Sequence, residues 1–102
     1  MSFPMVDERL ASQLKALAHP ARLQILDVLS VRGECVCGEI VGLLPLSQST
    51  VSQHLKVLKE AGLLTGTIDG TSSCYCLNNE ALIALGHTFI KRLASLDARE
   101  TS

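Results

Sequence analysis

The segment from Pro45 to Gly62 places the strongest constraint on the fold of this 102-residue chain. It reads "PLSQSTVSQHLKVLKEAG", and its apolar positions recur at spacings of four and three: Val51, Leu55 and Leu58. This spacing predicts a helix with a single buried face. Ser47 is a favourable N-cap, and Gly62 is typical of a left-handed C-cap. We therefore predict a helix over about residues 48–61.

The pattern changes from helix to strand after Gly62. Residues 63–68, "LLTGTI", are rich in branched side chains, and residues 71–77, "TSSCYCL", alternate in polarity. The Asp69-Gly70 pair between them is a strong signal for a tight turn. These features together predict a β-hairpin over about residues 63–77.

Helical periodicity covers most of the remaining chain. Val6, Leu10, Leu14 and Leu17 form one stripe, and Leu82, Leu85, Phe89, Leu93 and Leu96 form another. Pro20 suits the first turn of a second helix that ends near Gly33. The predicted helices outside 48–61 are therefore about 6–18, 20–33, 38–44 and 79–96.

Composition favours one small domain over residues 1–102. Hydrophobic residues make up 47% of the chain, which is more than a small core needs, so the surplus suggests a partner chain. The net charge of −1 gives no bulk signature of nucleic-acid binding, although a local patch can suffice. The sequence contains neither a transmembrane run nor a secretory signal, so we expect a cytoplasmic protein with no membrane partner.

The short connection "PLS" between two predicted helices is typical of a helix-turn-helix, whose second helix enters the DNA major groove. Serine, glutamine and lysine side chains can bond base edges and phosphates. The alternative is an ordinary solvated helix face. The candidate DNA-binding residues are Gln48, Ser49, Thr50, Ser52, Gln53, His54 and Lys56.

Four segments resemble a known family: "LKALAHPARLQIL", "ECVCGEI", "LSQSTVSQHLKVLKEAGLL" and "CYCLN". They follow the pattern of ArsR/SmtB-type metal- and metalloid-responsive repressors over about residues 10–78. The resemblance implies a mainly α winged helix-turn-helix with a small β-hairpin wing, and a short strand before the third helix. It also implies a homodimer through the first and last helices. Such a repressor binds a palindromic double-stranded DNA operator and releases it on ligand binding.

The four cysteines form two Cys-x-Cys pairs, which the resemblance brings together. In the implied fold, the strand before the third helix pairs with the returning strand of the wing. Alternation then places Val36, Tyr75 and Leu77 inward. The thiols share the opposite face as candidate metal ligands: Cys35, Cys37, Cys74 and Cys76. Thiolates favour soft ions, so the expected effector is As(III), Sb(III), Cd, Pb or Zn, with no organic cofactor.

The sequence alone does not decide which of the cysteines bind the ion. Arsenic-sensing relatives often have Cys-Val-Cys-x-x-Cys, but Ile40 occupies the last position here, so Cys74 or Cys76 would supply a third sulfur. In other interpretations the cysteines are small buried residues, or Cys35 and Cys37 act alone. A further alternative is cross-strand disulfides, which would make the protein a redox or sulfur-species sensor.

The charge of the wing and the positions of the histidines bear on what the resemblance implies. The wing "TGTIDGTSSCYC" contains no cation, so Lys56 and Lys59, with Lys15 or Arg22, would have to supply the charge for DNA. His19 is expected to start the second helix. A zinc site used by some relatives on the last helix is not expected at His87, because the companion residues differ.

No catalytic constellation is visible, so we expect no enzyme. A thiol oxidoreductase would favour Cys-x-x-Cys at a helix start, and the chain has none. A zinc-stabilised interaction module without DNA binding remains an alternative from another class.

Overall fold

The computed structural model describes residues 2–33, 35–37, 44–67 and 74–100, with the side chains of Arg32, Cys37, Thr67 and 97–100 outside the description. The elements in chain order are α1 (Met5–Leu17), α2 (Pro20–Arg32), β1 (Val36–Cys37), α3 (Gln48–Glu60), β2 (Leu64–Thr67), β3 (Cys74–Leu77) and α4 (Asn79–Glu100). The helix predicted over 38–44 lies outside the described residues, apart from Leu44 in a bend, and so does the Asp69-Gly70 turn.

Local chemistry defines both ends of α2. The His19 ring accepts a hydrogen bond from the Ala21 backbone N–H at Nδ1, at 3.0 Å, and Pro20 occupies the first turn. At the other end Gly33 adopts a left-handed φ of 71°, and its N–H bonds the carbonyls of Leu29 and Ser30. The expectation that His19 starts this helix is therefore confirmed.

Helix α3 begins at the predicted cap. The Ser47 hydroxyl oxygen accepts a hydrogen bond from the Thr50 backbone N–H at 3.3 Å. The predicted inward stripe is buried: Val51, Leu55 and Leu58. Gly62 takes a φ of 80° just beyond the helix, which turns the chain towards β2. One face of α3 is thus fixed to the core and the other is left to solvent.

The sheet joins β1, which precedes α3, to the two wing strands that follow α3. Its strand order is β1-β3-β2, and both pairings are antiparallel. Val36 faces Tyr75 across β1 and β3, and both side chains are buried. Leu77, also predicted to point inward, is half-buried. The predicted mainly helical fold with a small hairpin wing is confirmed.

The core is aliphatic, with Tyr75 as its buried aromatic residue among the described side chains. The most completely buried large side chains are Ile25, Leu29, Leu58, Leu63, Leu64 and Val51. They come from α2, α3 and the start of the wing, so these elements share one interior. Helix α1 lies against α4, where Arg92 forms an ion pair with Asp7.

A second apolar surface on α1 and α4 remains uncovered, and we call it the α1/α4 face. It consists of exposed large side chains: Phe3, Met5, Val6, Ile83, Phe89, Ile90, Leu93 and Leu96. Large exposed apolar surfaces of soluble proteins are often interaction sites. Within the described residues, no helix has the length and apolarity to span a membrane.

Gly66 is required by the close pairing of β2 and β3. Its φ is 140°, and a Cβ there would lie 2.0 Å from the Cys74 carbonyl oxygen. We expect Gly66→Ala to lower the free energy of unfolding by about 2 kcal/mol or more, because strain adds to the clash. Thermal unfolding measures the loss. The control is Gly62→Ala, where φ is also positive, at 80°, but no atom lies within 4 Å of the added Cβ. An equal loss in both variants would contradict the steric argument.

Candidate functional site: a solvent-facing helix and cysteine-linked strands

The outer face of α3 presents five of the seven candidate DNA-binding residues to solvent: Gln48, Ser49, Ser52, Gln53 and Lys56. The other two, Thr50 and His54, are half-buried. The Thr50 Oγ1 accepts a hydrogen bond from the Ser47 hydroxyl at 2.9 Å, so this side chain belongs to the helix cap. The exposed set is polar and singly cationic, which suits base edges and one phosphate.

His54 faces α2. Its Nδ1 accepts a hydrogen bond from Arg22 Nε at 3.2 Å, and its ring centroid lies 4.4 Å from that of His19. Burial lowers the pKa of His54 below its ordinary 6.5, and the nearby His19 and Arg22 lower this pKa further. The neutral ring is the form that can accept the Arg22 hydrogen bond.

Two of the four cations proposed to supply charge for DNA have internal partners. Arg22 donates to His54 and to the carbonyls of Lys15 and Ala16, and Lys59 donates from Nζ to the Gly66 carbonyl. The Lys59 contact joins the end of α3 to the wing. The Lys15 and Lys56 side chains are exposed. The charge available on the outer face of α3 is therefore carried chiefly by Lys56.

The structure brings Cys35 and Cys76 together across β1 and β3. They form a disulfide with a Cα–Cα distance of 4.3 Å, although 41 positions separate them in sequence. Cys35 is exposed and Cys76 is half-buried. This juxtaposition follows from the β1–β3 register, because the residue before Val36 lies opposite the residue after Tyr75.

The second pair of cysteines occupies the adjacent position of the same two strands. The Cα atoms of Cys37 and Cys74 are register partners, and Cys74 is also disulfide-bonded. The Cys37 side chain lies outside the described residues. All four candidate ligands thus belong to one two-stranded ladder, at one end of the sheet.

A cavity of about 250 Å³ opens beside the Cys35–Cys76 bond. Its lining includes both cysteines together with Leu29, Ser30, Gly33, Leu77 and Asn79. The disulfide therefore borders a space large enough for a small ion or reagent. Ser30 and Asn79 contribute neutral polar groups to the cavity wall.

The donor set fits a thiophilic ion only after the disulfides open, because a sulfur in a disulfide is not a thiolate ligand. Among the described side chains, no three Cys, His, Asp or Glu residues are grouped as a metal site. His87 is exposed on α4, and the side chains of Asp97 and Glu100 further along this helix lie outside the described residues.

Two contacts that organise this site were not predicted from the sequence: Arg22 with His54, and Lys59 with Gly66. Each joins residues from different elements. The available signal was the position of Arg22 and Lys59 on the half-buried flanks of their helices, where a cation needs an acceptor. Periodicity identifies such flanks but not the partner across the interface.

The chain is similar in sequence to known bacterial transcriptional regulators. The sequence profile of bacterial regulatory proteins of the arsR family matches residues 19–65. The HTH-type transcriptional regulator YgaV of Escherichia coli K12 is 38% identical over 78 residues, which cover 76% of this chain and 79% of that protein. This chain belongs to the arsR family.

Further comparisons agree with this assignment. The arsenical resistance operon repressor of Bacillus subtilis 168 is 42% identical over 74 residues, covering 72% of this chain and 70% of that repressor. An ArsR-like transcriptional regulator from Rhodococcus sp. RHA1 superposes with a TM-score of 0.76 at 25% identity, covering 92% and 88% of the two chains. As an arsR-family member the chain is a DNA-binding transcriptional repressor and not an enzyme.

Proposed function

We propose that this repressor is released from its operator when a thiophilic metal or metalloid ion is bound by thiolates of Cys35, Cys37, Cys74 and Cys76. The observation that carries the proposal is the pairing of β1 with β3, which puts both Cys-x-Cys pairs on one ladder. Soft thiolates select As(III), Sb(III), Cd, Pb or Zn over hard ions. The Bacillus relative, named an arsenical resistance operon repressor, supports this class of effector.

The position of the cysteines provides a route from ligand to DNA. Strand β1 precedes the residues that lead into the start of α3, and β3 pairs with β2. Strand β2 is in turn bonded to the end of α3 through Lys59 and the Gly66 carbonyl. A ligand that fixes β1 to β3 therefore acts on both ends of α3. Release requires that the ion bind the DNA-free arrangement more tightly than the DNA-bound one.

The operator-binding form in this proposal is a homodimer. The α1/α4 face is the surface that a second copy would cover, since it consists of eight large apolar side chains that are exposed in the single chain. A two-fold dimer places two α3 helices on successive turns of DNA, which matches a palindromic operator. The two half-sites would then be read by the exposed polar face of α3.

A second candidate is a thiol-based redox sensor, favoured by one specific observation, the Cys35–Cys76 disulfide. In this function two thiols lose two electrons and two protons to a peroxide or to a small disulfide, and a covalent bond replaces the ion as the link between β1 and β3. The two functions exclude each other at any moment, because the same sulfurs serve both.

Mobility-shift titrations on the upstream DNA test the proposal. We expect the reduced full-length protein to bind that DNA, and arsenite, antimonite, Cd, Pb or Zn to weaken binding at least about tenfold, a typical allosteric coupling. The control is Mg²⁺ at the same concentration, which thiolates do not favour. Release by a mild oxidant alone, with no response to any thiophilic ion, would contradict ion sensing and support the redox-sensor function. Absence of DNA binding would favour the interaction module.

A further inference from the structure

The contact between α2 and α3 contains a three-helix junction that the cysteine site does not use. Arg22 donates from Nη1 to the carbonyls of Lys15 and Ala16, at 3.3 and 3.2 Å, and from Nε to His54 Nδ1 at 3.2 Å. One guanidinium therefore joins the end of α1, the first turn of α2 and the centre of α3.

Two bonds of this junction end at carbonyls in the last turn of α1, where intrahelical N–H donors are lacking and a cation is favourable. The Lys15 carbonyl also accepts the Ala18 backbone N–H at 3.2 Å. The fixed fork of arginine reaches these carbonyls and His54 together, whereas a lysine ammonium offers a single point of donation. Arg22 is half-buried, so these bonds compete less with water than those of an exposed side chain.

His54 lies on the helix that presents Gln53 and Lys56 to solvent, yet its own ring is directed to α2. We propose that Arg22 is a positioning residue that holds α3 through neutral His54, so that affinity for operator DNA falls when His54 gains a proton. A protonated imidazole has no acceptor at Nδ1 and carries a positive charge towards the guanidinium. The junction then loses its link to α3.

The direction of the pH effect follows from linkage. The titratable and charged groups that the described structure places against His54 are His19 and Arg22, and both lower its pKa below 6.5, in addition to burial. As pH falls through 6.5, His54 becomes protonated in the unfolded chain. In the folded chain it stays neutral until the pH approaches its lowered pKa. The His54 contribution to stability is therefore complete above this pH and decreases in the window between 6.5 and the lowered pKa.

A direct contact of His54 with DNA makes the opposite prediction. A histidine that faces a phosphate binds more tightly when protonated, since the added charge is opposite in sign to the phosphate. Under the positioning role acidification weakens binding, and under direct contact it strengthens binding. The sign of the pH dependence therefore separates the two roles without a structure of the complex.

The test measures operator affinity of the full chain by fluorescence anisotropy at pH 7.5 and 5.5, at constant ionic strength, with a reductant and without effector. We expect wild-type affinity to be lower at pH 5.5 and to fall by up to about tenfold as protonation of His54 nears completion, the order expected for loss of a hydrogen bond to a charged group. His54→Asn retains an acceptor near the Nδ1 position and does not titrate. Its own affinity should therefore be the same at pH 7.5 and 5.5, without the loss seen in the wild type.

Arginine variants complete the test. Arg22→Lys and Arg22→Gln should each weaken binding about tenfold at pH 7.5, and combining Arg22→Gln with His54→Leu should cost no more than one change alone. Unchanged affinity in Arg22→Lys would assign Arg22 to a phosphate contact and overturn the proposal. Tighter binding at pH 5.5, or a wild-type pH dependence in His54→Asn, would do the same.

This inference relies on the DNA-binding role of α3 and not on the effector. Because the measurements omit metals and oxidants, they remain informative whichever effector proves correct. A wild-type protein that binds operator and ignores every thiophilic ion would defeat the effector proposal alone. A wild type whose affinity does not fall on acidification would defeat this inference alone.

Discussion

Replacing Ile90 with glutamate should convert the protein to monomers and weaken operator binding by roughly 10²- to 10⁴-fold, the range by which two linked sites exceed one. Ile90 is 69% exposed at the centre of the apolar stripe on α4. In a dimer through the α1/α4 face this side chain is buried, and an unpaired carboxylate there carries a large desolvation cost. In the isolated chain the same carboxylate meets only solvent, so the fold should survive.

The matched control for Ile90→Glu is Val31→Glu. Val31 is 88% exposed and lies near the C-terminal end of α2, so it belongs to neither α1 nor α4. Sedimentation velocity should give monomers for the first variant and dimers for the second, and thermal unfolding confirms that both are folded. A dimeric Ile90→Glu protein with wild-type operator affinity would contradict assembly through α1 and α4.

Cysteine variants should distinguish ion coordination from disulfide formation. Each variant is expected either to keep or to lose completely its operator release by arsenite or by an oxidant. Trivalent arsenic favours three sulfurs, whereas the Cys35–Cys76 disulfide needs two. We expect Cys35→Ser/Cys76→Ser to bind operator normally and to lose release by arsenite, because serine keeps the size of the side chain but removes the soft ligand. Operator release and ion binding, followed by calorimetry on reduced protein, measure the loss.

The informative companion is Cys74→Ser/Cys37→Ser, which leaves the Cys35–Cys76 pair intact. Coordination predicts that this variant also loses the arsenite response, since two sulfurs remain. Redox switching through Cys35 and Cys76 predicts that it keeps its response to a mild oxidant. Normal arsenite release by both double variants would remove thiolate coordination at β1 and β3 from the mechanism.

Local sequence determined the elements and their ends. The four-and-three spacing of Val51, Leu55 and Leu58 specified one buried face, and the Ser47 hydroxyl caps the helix as predicted. Gly33 and Gly62 terminate helices with the positive φ that other residues rarely adopt. These signals are readable because each depends on residues within one or two turns of one another.

The family and fold class were also within reach of the sequence, because a helix-turn-helix followed by a hairpin is a local order of elements. The matched profile over residues 19–65 and the superposition on the Rhodococcus regulator agree with that interpretation. The effector and the dimer stay proposals, since they depend on an ion and on a second chain.

The tertiary structure alone decided which side chains meet. The β1–β3 register joined Cys35 to Cys76 across 41 positions, and helix packing directed His54 to Arg22 while Gln53 and Lys56 remained outside. Sequence periodicity assigns a residue to a face of its own element, but a contact depends on the angle and register between two elements. Those are set by the packing of the whole core, which no short segment encodes.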